Sequence, residues 1–205
     1  MLQGTGSLAL GVMSVAMLLS TRPVVFEPWA GGLDKLYRLH RWLGIAGLGL
    51  AVAHWLWVEA PKALGDLGWV VRPARVHAAA PDNALLLQLH GWRGAAEAIG
   101  EWAFYALVAL LVFALMKQLP YRRFFQLHRL MPVVYLALVF HAVVLTKDTS
   151  WTQPLGVVMG ALMAAGTASA VLVLFGRVGR QRQALAVSQA LDGEVGGVLR
   201  VFLAD

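Results

Sequence analysis

The sequence predicts an all-α fold, a polytopic bundle of transmembrane helices. Only 14% of the 205 residues are charged and the mean hydropathy is +0.67, whereas soluble proteins carry about 25% charged residues. The apolar residues gather in five segments, each long enough to form most of a transmembrane helix. Two histidine pairs lie in or beside these segments, and ionisable side chains at membrane depth indicate a functional site.

The five predicted spans share a high content of Leu, Val and Ala and are bounded by polar or glycine-rich stretches. In chain order they cover residues 7–19, 39–58, 102–116, 131–145 and 155–175. The first and third are shorter than the roughly 20 residues that cross a bilayer, so we expect their flanks to extend them. The first segment lacks the basic start of a secretory signal peptide.

Lysine and arginine concentrate in alternate connections, which the positive-inside rule assigns to the cytoplasm. Helices two and four then run parallel from inside to outside, with the C-terminus cytoplasmic, and we expect a bacterial inner (plasma) membrane. Residues 59–101 form a long external connection and residues 146–154 a short one. The net charge of +6 follows from this topology, so no nucleic-acid partner is expected. The basic residues are Lys35, Arg38, Arg41, Lys117, Arg122, Arg123, Arg129, Arg177, Arg180 and Arg182.

The chain contains no cysteine. This excludes disulfides, iron–sulfur clusters, thiolate metal sites and the covalent attachment of c-type haem. Any haem would therefore be held non-covalently.

Two similarly spaced histidine pairs are the candidate metal ligands. His40 and His54 are 14 residues apart, and His128 and His141 are 13 apart. Each pair is separated by about 20 Å along its helix, against a hydrocarbon core of about 30 Å. Parallel helices place His40 opposite His128 near the inside and His54 opposite His141 near the outside. One neutral imidazole on each side fills both axial positions of a haem iron, so we expect two b-type haems stacked between helices two and four. Zinc is disfavoured because no third ligand accompanies any of the four.

The two spacings differ in their helical geometry. Fourteen residues return to within about 40° of the same helix face, whereas thirteen leave the two histidines about 140° apart. Either the macrocycles approach the fourth helix from different sides, or this helix is distorted. Pro132 offers a cause of distortion, since its ring clashes with the carbonyl of His128.

Three arginines lie close to the inner histidines, namely Arg38, Arg41 and Arg129. A guanidinium group suits bidentate pairing with a haem propionate. The same residues also serve as cytoplasmic topology markers, and both roles are compatible. His77 and His90 fall in the external connection, where a solvated surface role is expected.

The flanks of the histidines distinguish among dihaem membrane cytochromes, since cytochrome b of the quinol-oxidising complexes also uses paired histidines. LYRLHRWLG at residues 36–44, followed by His54, resembles the first haem helix of the ferric reductase-like transmembrane family, which includes the NADPH oxidases. LPYRRFFQLHRL at residues 119–130, followed by His141, resembles its second haem helix. The resemblance covers roughly residues 4–205.

This resemblance implies a six-helix domain with two b-type haems, followed by a cytoplasmic flavin- and NAD(P)H-binding reductase domain. Electrons would pass from reduced flavin through the inner and outer haems to an external acceptor such as oxygen or ferric iron. The chain lacks the family's first helix and shows no Gly-rich dinucleotide fingerprint. We expect residues 1–183 to be the transmembrane dihaem domain and residues 184–205 the start of a truncated flavin-binding domain. FAD and NAD(P)H would bind in the missing domain or in a partner.

Two alternatives remain open. The chain could be a haem subunit that receives electrons from a separate flavoprotein or quinol and reduces a periplasmic partner, as in methionine sulfoxide repair. It could also be a non-redox membrane scaffold in which the histidines are polar contacts between helices.

Overall fold

A computed structural model of the protein describes residues 2–22, 31–69, 88–89, 91–116, 120–146 and 148–176. Within these ranges 88% of the residues are helical and none forms a strand, which confirms the prediction of an all-α fold. The principal helices are α1 (Leu2–Ser20), α2 (Leu33–Asp66), α3 (Arg93–Leu115), α4 (Tyr121–His128), α5 (Met131–Leu145), α6 (Asp148–Trp151) and α7 (Pro154–Leu174).

The apolar helices fit a polytopic membrane bundle. By length and composition α2, α3, the α4–α5 pair and α7 can each cross a bilayer, and α1 contributes a shorter apolar helix over Gly4–Ser20. Helices are the expected solution in a membrane because they satisfy their own backbone hydrogen bonds in hydrocarbon.

The predicted external connection over residues 59–101 contains helical turns at both ends. Helix α2 continues to Asp66 and α3 begins at Arg93, nine residues before the predicted span. At about 1.5 Å per residue, α2 extends about 50 Å, so its polar last turns project beyond a hydrocarbon core of about 30 Å. An ion pair between Lys62 and Glu59 supports these turns. Hydropathy marks only the apolar middle of such a helix.

The predicted short external turn over residues 146–154 also contains structure. The four-residue helix α6 lies within it, and α7 begins at Pro154. Pro154 suits the first position of a helix, because an amide hydrogen there would have no acceptor within the helix and its absence costs no hydrogen bond.

Helices α2 and α5 contact their neighbours far more than they contact each other. Helix α1 packs along α2 and α7 and touches α5, while α3 packs along α5 and touches α2 and α4. Within the described residues, α2 and α5 make at most slight close backbone contact with each other. Helices α1 and α3 therefore each connect α2 to α5.

The direction of the helices follows from their contacts with α3. Trp55 of α2 stacks on Phe104, whereas an ideal Cβ at Gly44 would lie 3.8 Å from Cδ2 of Leu111. Helix α2 is therefore antiparallel to α3. Helix α5 is antiparallel to α3 as well, because Gly100 lies against His141 while the later Leu110 clusters with the earlier Val134. Helices α2 and α5 thus run parallel, as the distribution of basic residues predicts.

A buried polar contact joins α1, α5 and α7. The Ser14 hydroxyl is fully buried and donates to the carbonyl of Leu10 at 2.8 Å. Tyr135 Oη lies 2.8 Å from Ser14 Oγ and 3.4 Å from the carbonyl oxygen of Met163. Gly166 on α7 gives this hydroxyl its space, since a Cβ there would overlap it. The contact fixes the relative positions of these three helices.

Candidate haem-binding site

The structure brings together the two histidines predicted as the inner pair. His40 projects from α2 and His128 from the end of α4, with their ring centroids 6.0 Å apart and their planes at 79°. An imidazole nitrogen binds a first-row metal at about 2.0 Å, and the ring centre lies roughly 1 Å further away. Two imidazoles on opposite sides of one metal therefore have ring centres roughly 6 Å apart. The observed separation suits one iron between the rings.

Backbone carbonyls orient two of the four histidines. His40 Nδ1 lies 2.9 Å from the carbonyl oxygen of Ala16 on α1, and His141 Nδ1 lies 2.8 Å from that of Ala96 on α3. A carbonyl oxygen only accepts, so Nδ1 must carry the hydrogen and donate it. In the neutral ring Nε2 is then unprotonated, which is the form that binds a metal.

The two histidines predicted as the outer pair each pack against a glycine. His54 Nδ1 lies 3.1 Å from Thr5 Oγ1 on α1, and an ideal Cβ at Gly6 would lie 3.0 Å from His54 Cε1. His141 lies so close to Gly100 that a Cβ there would overlap its ring. Helix α1 thus seats the ring of His54, and helix α3 seats the ring of His141.

His128 differs from the other three histidines. Its ring stacks on Phe124 at 5.2 Å, and its Nδ1 is buried with no hydrogen-bond partner in the described part of the chain. A buried polar atom without a partner is rare, so within the described residues His128 lacks the carbonyl acceptor that orients the rings of His40 and His141.

The donor set fits haem better than a metal ion bound by side chains alone. In the described ranges no three His, Cys, Asp or Glu side chains gather into a site that could hold a metal ion. A haem needs only two axial ligands from the protein because the porphyrin supplies the other four nitrogens. The two imidazoles of His40 and His128, with their centroids 6.0 Å apart, supply that number of ligands.

The chain is distorted where the unequal spacing predicts that it could be. Helix α4 ends at His128 and α5 begins at Met131. Between them Leu130 N bonds to the carbonyl of Leu127 and Val133 N to that of Leu130, both in the tighter i to i−3 pattern. Pro132 has no amide hydrogen to donate to the His128 carbonyl. Tighter winding adds about 20° per residue, which brings the 140° offset closer to 100° over two residues.

The arginines predicted near the inner haem are exposed. Arg38, Arg41 and Arg129 lie on the surface at the end of the bundle that carries His40 and His128. Their exposure leaves both roles open, propionate pairing and topology marking. Several predicted features lie outside the described residues: His77, His90, Lys117, Arg177, Arg180, Arg182 and residues 184–205.

Sequence reasoning missed the residues that support the ligands. The carbonyls of Ala16 and Ala96 carry no sequence signal, because every residue has one. Thr5 is an ordinary polar residue near a helix start. Gly100 offered a weak signal, since glycine inside a helix costs about 1 kcal/mol relative to alanine and therefore suggests a close approach.

The fold and the site together define an integral membrane protein with two histidines on α2, one on α4 and one on α5, of which His40 and His128 lie close together. The family model described as ferric reductase like transmembrane component matches residues 5–139, about two thirds of the chain. The chain belongs to this family, as the residues around the histidines indicate. The match includes His40, His54 and His128 and ends two residues before His141. No curated protein matches the chain.

Proposed function

We propose that this chain carries electrons across a membrane through two bis-histidine b-type haems. His40 and His128 would hold the inner haem, and His54 and His141 the outer haem. The observation that carries the proposal is the proximity of His40 and His128, which lie on different helices with their ring centroids 6.0 Å apart. Membership of the ferric reductase-like family supports transmembrane electron transfer as the general activity.

The histidines, the apolar residues and the partners of Nδ1 would have different roles in this transfer. Haem supplies an iron that changes between the ferric and ferrous states by one electron. The four imidazoles would hold the two groups at levels about 20 Å apart, so that together they span most of the hydrocarbon core. The apolar residues of α3 and α5 shield the interior from water, and the partners of Nδ1 keep the rings of His40 and His141 in the metal-binding tautomer.

The direction of transfer follows from the charges. Basic residues, among them Lys35, Arg41 and Arg123, collect at the end that carries His40 and His128, and the positive-inside rule places such an end in the cytoplasm. We infer that electrons enter there from reduced flavin, supplied with NAD(P)H by a reductase domain or by a separate flavoprotein. They leave from the His54 and His141 end to oxygen, ferric iron or a periplasmic protein. A bacterial inner membrane with a cytoplasmic C-terminus fits this arrangement.

Absorption spectroscopy of the purified chain tests the haem assignment. We expect a low-spin b-type spectrum and two haems per chain by the pyridine haemochrome assay. His40→Ala and His54→Ala should each remove one haem, while the control His90→Ala, which changes a histidine of the connection between α2 and α3, should keep both. A colourless protein, or a His54→Ala variant that keeps both haems, would overturn the proposal and favour a non-redox scaffold.

Liposomes test the transfer itself. With reductant trapped inside and ferricyanide outside, the loaded protein should reduce ferricyanide faster than empty liposomes do. His54→Ala should abolish the difference, because the outer step of the path is then missing. Equal rates with wild type and with empty liposomes would show that the chain does not conduct.

A further inference from the structure

Helix α1 supplies no histidine, yet it contacts both histidines of α2. The Ala16 carbonyl faces His40 Nδ1, and the Thr5 hydroxyl faces His54 Nδ1. Ala16 and Thr5 are 11 residues apart, so they return to within about 20° of the same face of α1. One face of one helix therefore carries the partner of each α2 ring, at the two levels of the site.

The two partners differ chemically. The carbonyl of Ala16 belongs to the main chain and only accepts, so it fixes the hydrogen on His40 Nδ1. The hydroxyl of Thr5 can donate or accept. Coordination of iron through His54 Nε2 requires that Nδ1 keeps its hydrogen, so in the loaded protein Thr5 must be the acceptor. Thr5 is thus the partner whose side chain can be changed without altering the backbone.

The ring of His54 is fixed by contact as well as by this hydrogen bond. A Cβ at Gly6 would approach three atoms of the ring, at 3.0 Å from Cε1 and 3.2 Å from Nδ1 and Nε2. The ring therefore lies flat against α1 and has little freedom to turn away from Thr5 Oγ1.

We propose that Thr5 is a positioning residue that sets the ring orientation and electron-donating strength of His54, and thereby the redox potential of the outer haem. The proposal rests on the proposed function. An acceptor at the far nitrogen of a ligating histidine raises the basicity of the ring, and hydrogen bonds of this kind tune haem potentials. Removal of the hydroxyl weakens donation to the iron. The ferric state then loses more stabilisation than the ferrous state, and the potential rises.

The experiment is a spectroelectrochemical measurement of both haem potentials in the full chain. Thr5→Val keeps the shape and removes the hydroxyl, Thr5→Ala removes it without a branched side chain, and Thr5→Ser restores it. Thr146→Val is the matched control, because Thr146 Oγ1 donates to the Ala142 carbonyl of its own helix at 2.6 Å. His141→Ala, which should lack the outer haem, shows which of the two potentials belongs to it.

We expect Thr5→Val and Thr5→Ala to shift the redox potential of the outer haem to a more positive value and to leave that of the inner haem unchanged. Thr5→Ser and Thr146→Val should match wild type. If two haems are bound and neither potential moves, or if Thr5→Ser shifts as far as Thr5→Val, the role of Thr5 is refuted while the dihaem assignment stands. A wild-type protein with fewer than two haems would instead refute the proposed function.

Discussion

Substitution of Gly100 by alanine should disturb His141, the proposed ligand of the outer haem, without changing the histidine itself. Gly100 is buried on α3, and an ideal Cβ there would overlap Nδ1, Cε1 and Cγ of His141. The imidazole would have to move, and its hydrogen bond to the Ala96 carbonyl, 2.8 Å long, would be lengthened or broken.

The magnitude follows from three opposing effects. Extra atoms in a packed interior cost about 1–3 kcal/mol, and a lost hydrogen bond costs about 0.5–1.5 kcal/mol. Alanine in place of glycine inside a helix stabilises the folded state by about 1 kcal/mol. The clash outweighs the gain in helix propensity, so Gly100→Ala should lower the free energy of unfolding by about 1–3 kcal/mol. For a chain of this size the melting temperature falls by about 2–4 °C per kcal/mol.

Circular dichroism in detergent, followed during heating of the haem-free protein, measures this change. Gly49→Ala is the matched control, because nothing lies within 4 Å of a Cβ at Gly49 in α2, and this variant should melt at or slightly above wild type. The haem-loaded Gly100→Ala protein should also retain less of the outer haem than of the inner. A Gly100→Ala protein that melts as high as Gly49→Ala and binds both haems normally would refute the close packing of His141 on α3.

Two further predictions concern the bundle and its basic end. Gly166→Ala would overlap Tyr135 Oη and crowd the backbone of Ser14, so it should destabilise the protein by about 1–3 kcal/mol. Gly160→Ala meets only Trp151 at 3.7 Å and should leave the melting temperature nearly unchanged; equal melting of the two variants would contradict the packing of α7 on Tyr135. Arg41→Lys and Arg129→Lys keep the charge that sets topology but lose the planar fork that pairs with a carboxylate. If these arginines hold a propionate, transfer of the inner haem to apomyoglobin should become faster in both variants; unchanged transfer rates would leave topology as their only role.

Much of the helical architecture could be predicted because membrane helices are apolar along their whole buried length. The span at residues 131–145 coincides with α5, and that at 155–175 differs from α7 by one residue at each end. The ends of α2 and α3 could not be located in the same way. Once a helix leaves hydrocarbon its residues become polar, as Glu59 and Lys62 do, and the composition then resembles that of a loop.

The histidine pairs could be found because their chemistry is conspicuous in an apolar segment, whereas their supporting contacts could not. Whether His141 faces Ala96 and Gly100 depends on how α3 and α5 are rotated about their axes, which side-chain packing decides over the whole interface. The break between His128 and Met131 could be predicted in part. Pro132 indicates that the helix is disturbed, but the i to i−3 hydrogen bonds that define the disturbance arise only in the folded chain.

The contacts of the four rings point to a division of labour among the helices. Helices α2, α4 and α5 carry the histidines, while α1 and α3 carry hydrogen-bond partners for three of them, at Thr5, Ala16 and Ala96. Two of these partners are main-chain carbonyls, so substitution of Ala16 or Ala96 would leave the acceptor in place. The electronic environment of His40 and His141 is therefore fixed by the positions of α1 and α3, and that of His54 by the side chain of Thr5. If two haems are bound as proposed, substitution of Thr5 should therefore change the potential of the outer haem, whereas substitution of Ala16 should leave that of the inner haem unchanged.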